Sequence, residues 1–77
     1  MKPEQYRTKD LGEAAALLVK EASLTDIERI GNVCWFIFEN GKSCKDIATQ
    51  FHFGTVIVDA RAYYEAVKRL KSRIFNL

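Results

Sequence analysis

The sequence predicts a small α+β domain, and three observations carry this prediction. Val33–Phe38 is a run of six apolar residues after the turn dipeptide Gly31-Asn32, which is typical of a strand shielded from water on both faces. Three other segments show apolar residues at helical spacing. The elements follow the order β-α-β-β-α-β-α, which matches the ferredoxin-like, or split βαβ, plan with an added C-terminal helix. We expect one domain, residues 1–77, with a small antiparallel sheet of three or four strands.

The first two elements are a short strand and a helix. Residues 4–8 are weakly extended in pattern, with Tyr6 and Thr8 on one side. Asp10 followed by Glu13 resembles a capping box, in which the two side chains satisfy free amides at a helix start. The spacing predicts a helix over residues 11–22, and its alanines would let it approach a sheet closely.

The next elements form a hairpin. Gly31-Asn32 suits a type II′ turn between residues 24–30 and 33–38, because Gly takes the positive φ at the first position. This register makes Ile27 face Phe36, and Glu28 face Trp35. It also predicts the pairs Thr25 with Phe38 and Asp26 with Ile37. The core side of the third strand then carries Cys34, Phe36 and Phe38, and the second side carries Val33, Trp35 and Ile37.

The remaining elements are a helix, a strand and a helix. Ser43 with Asp46 indicates a second helix over about residues 43–51. The β-branched segment 55–58 predicts a fourth strand, and Asp59 caps the last helix. The apolar stripe of this helix comprises Tyr63, Val67, Leu70 and Ile74. A four-stranded plan makes the polar first strand central, so a three-stranded sheet with an irregular N-terminus is the main alternative.

Composition excludes several classes of function. The net charge is only +2, and no apolar stretch reaches membrane-spanning length, so we expect no membrane association. No secretory signal precedes Cys34 and Cys44, and we expect both to be reduced thiols in the cytoplasm. The single His52 cannot complete a zinc site with them. No catalytic constellation, phosphate loop or cofactor motif is present, so we expect no enzymatic activity, cofactor or small-molecule substrate.

The second side of the third strand, centred on Trp35, is expected to be covered by another group. Burying a Trp and its aliphatic neighbours stabilises by several kcal/mol at about 25 cal/mol per Å², and this free energy is lost if they stay exposed to water. Three groups could cover this side. The simplest covering group is the C-terminal helix folding back, since its apolar stripe must also pack against an apolar surface. A protein partner, most simply a second copy, is the next. The candidate interaction surface comprises Val33, Trp35, Ile37 and Tyr6.

Single-stranded nucleic acid is the third cover. RNA-recognition modules stack bases on aromatic residues of a third strand, and aligning Phe38 with the last aromatic position puts Trp35 at another, with Tyr6 on the first strand. The basic glycine pair of that motif is absent, and Asp26 and Glu28 bring negative charge beside Trp35. A candidate basic patch on the C-terminal helix comprises Arg61, Lys68, Arg69, Lys71 and Arg73.

Four short motifs also resemble a known family. They are YRTKDL at residues 6–11, CWFIF at 34–38, FG at 53–54 and LKSRIF at 70–75, and the resemblance that they carry extends over nearly the whole chain. As a set they resemble a small bacterial and phage-associated family of domains of unknown function. The resemblance implies a stand-alone cytoplasmic protein of bacterial or prophage origin, and it implies no activity or functional residue.

These observations favour a non-enzymatic protein-binding or assembly module that acts on another protein or as a homodimer. Nucleic-acid binding through Trp35, Tyr6 and the basic C-terminal helix is the alternative.

Overall fold

Three strands and three helices make up residues 4–76, which are the residues that the computed structural model describes. In chain order they are β1 Tyr6–Thr8, α1 Leu11–Val19, β2 Leu24–Ile30, β3 Val33–Phe38, α2 Gly41–His52 and α3 Ala60–Phe75. The strands form one antiparallel sheet in the order β1-β3-β2. The predicted α+β class with an antiparallel sheet is therefore confirmed.

The β2–β3 hairpin has the predicted register over most of its length. Ile27 pairs with Phe36, and Glu28 pairs with Trp35. Gly31 has φ 62° while Asn32 stays outside the left-handed region, as a type II′ turn requires. The predicted pair Thr25 with Phe38 is wrong, because a bulge at Thr25 makes Leu24 the partner of Phe38.

The central strand is β3, as its apolar run predicted. Both outer strands are antiparallel to β3, so β1 and β2 are parallel to each other and β3 lies between them. This is a split βαβ unit with α1 as the crossover. The strand β1 lies at an edge of this sheet, whereas the four-stranded plan placed it at the centre. The three-stranded alternative had the right number of strands, but its irregular N-terminus is wrong, because residues 6–8 form one of the three.

The helix α1 ends three residues earlier than predicted. Its end is closed by two backbone bonds, from the amide of Ala22 to the carbonyl of Leu17 and from the amide of Glu21 to the carbonyl of Leu18, both 3.0 Å. This is a Schellman motif, and it puts Glu21 at φ 67°, in the left-handed region that a helix cannot continue through.

The helix α2 begins at Gly41, so the capping pair predicted at Ser43 and Asp46 is wrong. Asn40 precedes it in the left-handed region at φ 59° and makes no side-chain cap bond. The start is fixed by the chain before β1, because the amide of Gly41 donates to the carbonyl of Glu4 at 2.6 Å. A Cβ at Gly41 would lie 3.0 Å from the carbonyl oxygen of Gln5.

The predicted fourth strand at residues 55–58 does not form. The helix α2 ends in a second Schellman motif, with Gly54 at φ 72° and the amide of Thr55 donating to the carbonyl of Gln50 at 2.8 Å. The amide of Val56 points to the same carbonyl at 3.3 Å. Two of the four residues are thus held at the end of α2, and Asp59 already caps α3, so no length remains for a strand. The ferredoxin-like order is correspondingly incomplete.

All three helices lie on one face of the sheet. Ala66 and Leu70 of α3 join one core cluster with Phe36 and Phe38 of β3, and the molecule is only 18 Å thick, as a sheet with one layer of helices would be. Within that layer α1 is the middle helix, because it packs against both α2 and α3. The predicted stripe of α3 is confirmed, whereas the expectation that it covers Trp35 is wrong.

Candidate functional site

Within residues 4–76, no helix lies on the opposite face of the sheet, and we call it the open face. It consists of Arg7, Lys9, Asp26, Glu28, Ile30, Val33, Trp35 and Ile37. The pleat determines this set, because successive side chains along a strand point to opposite faces and cross-strand partners share a face. The candidate surface residues Val33, Trp35 and Ile37 form its central row, on β3.

Charge on the open face is divided by strand. Arg7 and the following Lys9 put positive charge on the β1 side, while Asp26 and Glu28 put negative charge on the β2 side. One ion pair crosses between them, from Nη2 of Arg7 to Oε2 of Glu28 at 2.9 Å, with both side chains about half exposed. Exposed pairs of this kind stabilise the fold only slightly, so this one leaves both groups free to meet other charges.

Trp35 lies between these charges. The guanidinium carbon of Arg7 lies 5.7 Å from the centre of its ring, and the ammonium nitrogen of Lys9 lies 6.0 Å from it. Both distances are within cation–π range. Trp35 is therefore partly shielded by two cations, which lie where a covering helix was expected.

The apolar residues of the open face differ in exposure. Ile37, flanked by Arg7 on β1 and Asp26 on β2, is buried at 5% exposure. At the other end, next to the hairpin turn, Ile30 is 58% exposed and Val33 is 38% exposed. Paired aliphatic side chains with this much exposure form an apolar corner that adjoins Trp35.

Tyr6 lies on the core face, away from Trp35. It pairs with Phe38, whose side chain is fully buried, and its hydroxyl donates to Oε1 of Glu13 on α1. The candidate basic patch is also separated from Trp35, since its residues are exposed on α3, on the helical side of the sheet. The three parts of the predicted nucleic-acid site therefore do not form one surface.

A second cluster, which we call the Glu13 cluster, joins β1, α1 and α2. Glu13 is 3% exposed, and its carboxylate accepts hydrogen bonds from the hydroxyls of Tyr6 and Thr8, the latter at 3.1 Å. The Nε2 of the half-exposed His52 lies 3.1 Å from the same carboxylate. Half of the predicted capping box is present, since Oδ1 of Asp10 accepts from the amide of Glu13 at 3.1 Å. The Glu13 carboxylate points into the protein instead of completing the box.

The electrostatics of the Glu13 cluster favour a structural role. Burial, together with the hydrogen bond to Glu13, raises the pKa of Tyr6 above its ordinary value, so its hydroxyl stays a donor. Burial, with a smaller contribution from Glu13, likewise raises the pKa of the Cys44 thiol. A protonated thiol is a poor nucleophile. Cys44 instead directs its Sγ to the carbonyl of Glu39 at 3.4 Å, and both cysteines are free.

Sequence reasoning missed Arg7 and Lys9 as members of the site, and it missed Glu13 as a buried carboxylate. Alternation along residues 6–9 was the available signal for the first two, because Tyr6 and Thr8 on one side place Arg7 and Lys9 on the other. Glu13 carried a weaker signal, as it directly precedes the unbroken apolar run from Ala14 to Val19.

Two searches of the structure and the comparisons with known proteins bear on the site. Among residues 4–76, no helix is long and apolar enough to cross a membrane. Within the same residues, no group of three or more His, Cys, Asp or Glu side chains is placed to hold a metal ion. Comparison of the chain with protein-family models, with curated proteins and with solved structures found no match.

Proposed function

We propose that this chain is a non-enzymatic protein-binding or assembly module that acts through its open face. The observation that carries the proposal is the apolar corner formed by Ile30, Val33 and Trp35, which α3 leaves uncovered. Completing the burial of Ile30 and Val33 would contribute about 2 kcal/mol at ordinary transfer values. The surrounding charges supply orientation, because complementary charges select a partner more than they add affinity.

The remaining expectations belong to the same proposal. The free thiols of Cys34 and Cys44 support a cytoplasmic location, since such thiols persist in reducing compartments. The motifs at residues 6–11 and 34–38 support bacterial or prophage origin and kinship with the small family they resemble. The split βαβ order supports a variant of the ferredoxin-like plan that lacks the last strand.

Site-directed photo-crosslinking tests the protein-binding proposal. A benzophenone amino acid at Val33 reports on the apolar corner, and the same group at Tyr64, which is 62% exposed on α3, is the matched control. We expect irradiation in cells to give a polypeptide adduct from position 33 and none from position 64. No adduct from position 33, or equal adducts from both positions, contradicts the proposal.

Single-stranded nucleic acid is the second candidate, and the two cations beside Trp35 are the observation that favours it. A base could stack on the Trp35 ring while Arg7 and Lys9 contact phosphate. Glu28 counts against it, because its carboxylate lies 2.9 Å from Arg7 and would repel a phosphate bound there. Oligonucleotides at low salt would then quench the fluorescence of Trp35, and Lys9→Ala would weaken the quenching while Lys68→Ala on α3 would not. Absence of quenching rejects this candidate.

A further inference from the structure

We propose that the partner of the open face is a second copy of this chain, packed face to face about a two-fold axis parallel to β3. The inference rests on the proposed function, since it names the partner of the same surface. It is carried by the arrangement of charge, with Arg7 and Lys9 along one side of the β3 row and Asp26 and Glu28 along the other.

Charge complementarity selects this axis. A two-fold axis parallel to β3 lays the β1 side of one copy over the β2 side of the other, so that Arg7 and Lys9 meet Asp26 and Glu28 of the second copy. The symmetry repeats the match on the opposite side, as an isologous interface requires. An in-plane axis perpendicular to the strands would instead put Arg7 over Arg7, and like charges in contact repel.

The same axis brings Val33 and Trp35 of the two copies together. Both residues lie on the central row, so each approaches the same residue of the second copy near the axis. Ile30 lies beside Val33 but faces the space beyond the end of the second copy's β1, which stops at Thr8, so it stays at the rim of the interface. Two sheets packed face to face keep their strand directions within about 30°, an arrangement that an axis along β3 permits.

Pairing at the sheet edges is disfavoured by comparison. On β2, an antiparallel two-fold pairing centred on Ile27 would put Asp26 of one copy opposite Glu28 of the other. The bulge at Thr25 further interrupts the ladder. On the other side β1 is only three residues long. Charged residues, bulges and short strands are the features that protect edges from pairing.

The size of the open face limits the strength of the expected dimer. With three, seven and six residues in β1, β2 and β3, a strand spacing of about 4.8 Å and a rise of about 3.3 Å per residue, it offers roughly 250 Å² per copy. A standard stable interface buries about 800 Å² per partner. We therefore expect a dissociation constant in the high micromolar range that increases with salt, because its charged contacts are screened.

Two variants with faces of a single sign test whether charge pairing between two open faces holds the dimer. Arg7→Glu with Lys9→Glu makes the open face acidic, and Asp26→Lys with Glu28→Lys makes it basic. By sedimentation equilibrium we expect each variant alone to dimerise at least tenfold more weakly than the wild type. Their equimolar mixture should form a heterodimer of wild-type affinity, because each copy then meets the opposite sign on both sides. The matched control is Lys68→Glu with Lys71→Glu on α3, which should dimerise as the wild type does.

The wild type provides a readout that is independent of any variant. Its dissociation constant should increase at least threefold between about 50 mM and 500 mM salt. A chain that stays monomeric at about 1 mM, a dimer indifferent to salt, or a mixture that does not restore association overturns the inference. If the chain is monomeric while position 33 crosslinks a polypeptide of another mass, the protein-binding function stands and only self-association fails. No adduct at position 33 removes both.

Discussion

Replacing Tyr6 by Phe removes one hydroxyl from the Glu13 cluster and keeps the ring that packs in the core. The acceptor is a carboxylate at 3% exposure, and hydrogen bonds to charged groups contribute about 1.5–3 kcal/mol, against about 0.5–1.5 kcal/mol for neutral pairs. We expect Tyr6→Phe to lower the free energy of unfolding by about 2 kcal/mol.

The same chain supplies the control for this change. The hydroxyl of Tyr63 donates to a neutral acceptor, the carbonyl oxygen of Gly12, at 3.2 Å. Tyr63→Phe removes the same atom from a partly buried ring, and we expect it to cost about 1 kcal/mol. The difference between the two variants isolates the effect of the carboxylate acceptor.

Urea denaturation followed by circular dichroism measures both variants. A domain of this length has a total stability of about 4–11 kcal/mol, so both variants remain folded at low temperature. A loss of about 2 kcal/mol lowers the melting temperature by roughly 8–16 °C, and the control lowers it by about half as much. In the background of Glu13→Gln, Tyr6→Phe should cost at least about 1 kcal/mol less. Equal costs for Tyr6→Phe and Tyr63→Phe, or no coupling to Glu13, would refute the reasoning.

Three further predictions concern pH and backbone conformation. Because the pKa of Tyr6 is raised in the folded chain, the free energy of unfolding should hold its full value below about pH 10 and decrease above it by up to about 1.4 kcal/mol per pH unit. The midpoint of urea denaturation should decrease less with pH in Tyr6→Phe than in the wild type. Glu21→Gly should raise the melting temperature, since Gly adopts the left-handed conformation at a free-energy cost about 1 kcal/mol lower than Glu. Gly54→Ala, at the equivalent position after α2, should lower the melting temperature by a similar amount. Shifts of the same sign for the two variants would contradict the Schellman assignment. Gly41→Ala should cost about 1–3 kcal/mol in urea denaturation, because its Cβ would meet a backbone carbonyl at 3.0 Å, and a neutral effect would contradict that contact.

The parts of the fold that sequence predicted well are those fixed by neighbouring residues. The turn at Gly31-Asn32 sets the pairing of Ile27 with Phe36 because the two strands leave one tight turn. Sequence did not reveal the bulge at Thr25, where the hydroxyl donates to the carbonyl of Ile37 at 3.0 Å. Such a bond depends on the partner strand already being in place.

The position of α3 could not be read from its own stripe. Apolar residues at helical spacing show that a helix packs against another apolar surface, but they do not show which surface that is. The decisive signal lay in α1, which is apolar on nearly every side from Ala14 to Val19. A helix of that kind must be covered by neighbours as well as by the sheet. The apolar stripe of α3 packs against α1, so α3 does not cover the open face.

The candidate site was predicted only in its central row. Val33 and Trp35 lie on the second side of β3, as the hairpin register required. Tyr6 was assigned to the wrong face, because no tight turn links β1 to β3 and a shift of one residue exchanges the two faces of a strand. Glu13 could have completed a capping box or entered the core. The choice depended on Tyr6, Thr8 and His52, which other elements bring to it.

The middle position of α1 has a consequence for how the molecule opens. A helix enclosed by the sheet and by two other helices can exchange its amide hydrogens only when a neighbour detaches, whereas α3 has solvent along most of its outer side. Local openings are cheapest where few buried contacts are broken. We therefore expect amide exchange to slow in steps from α3 to α1, so that α1, although it is only nine residues long, records the rarest opening of the chain.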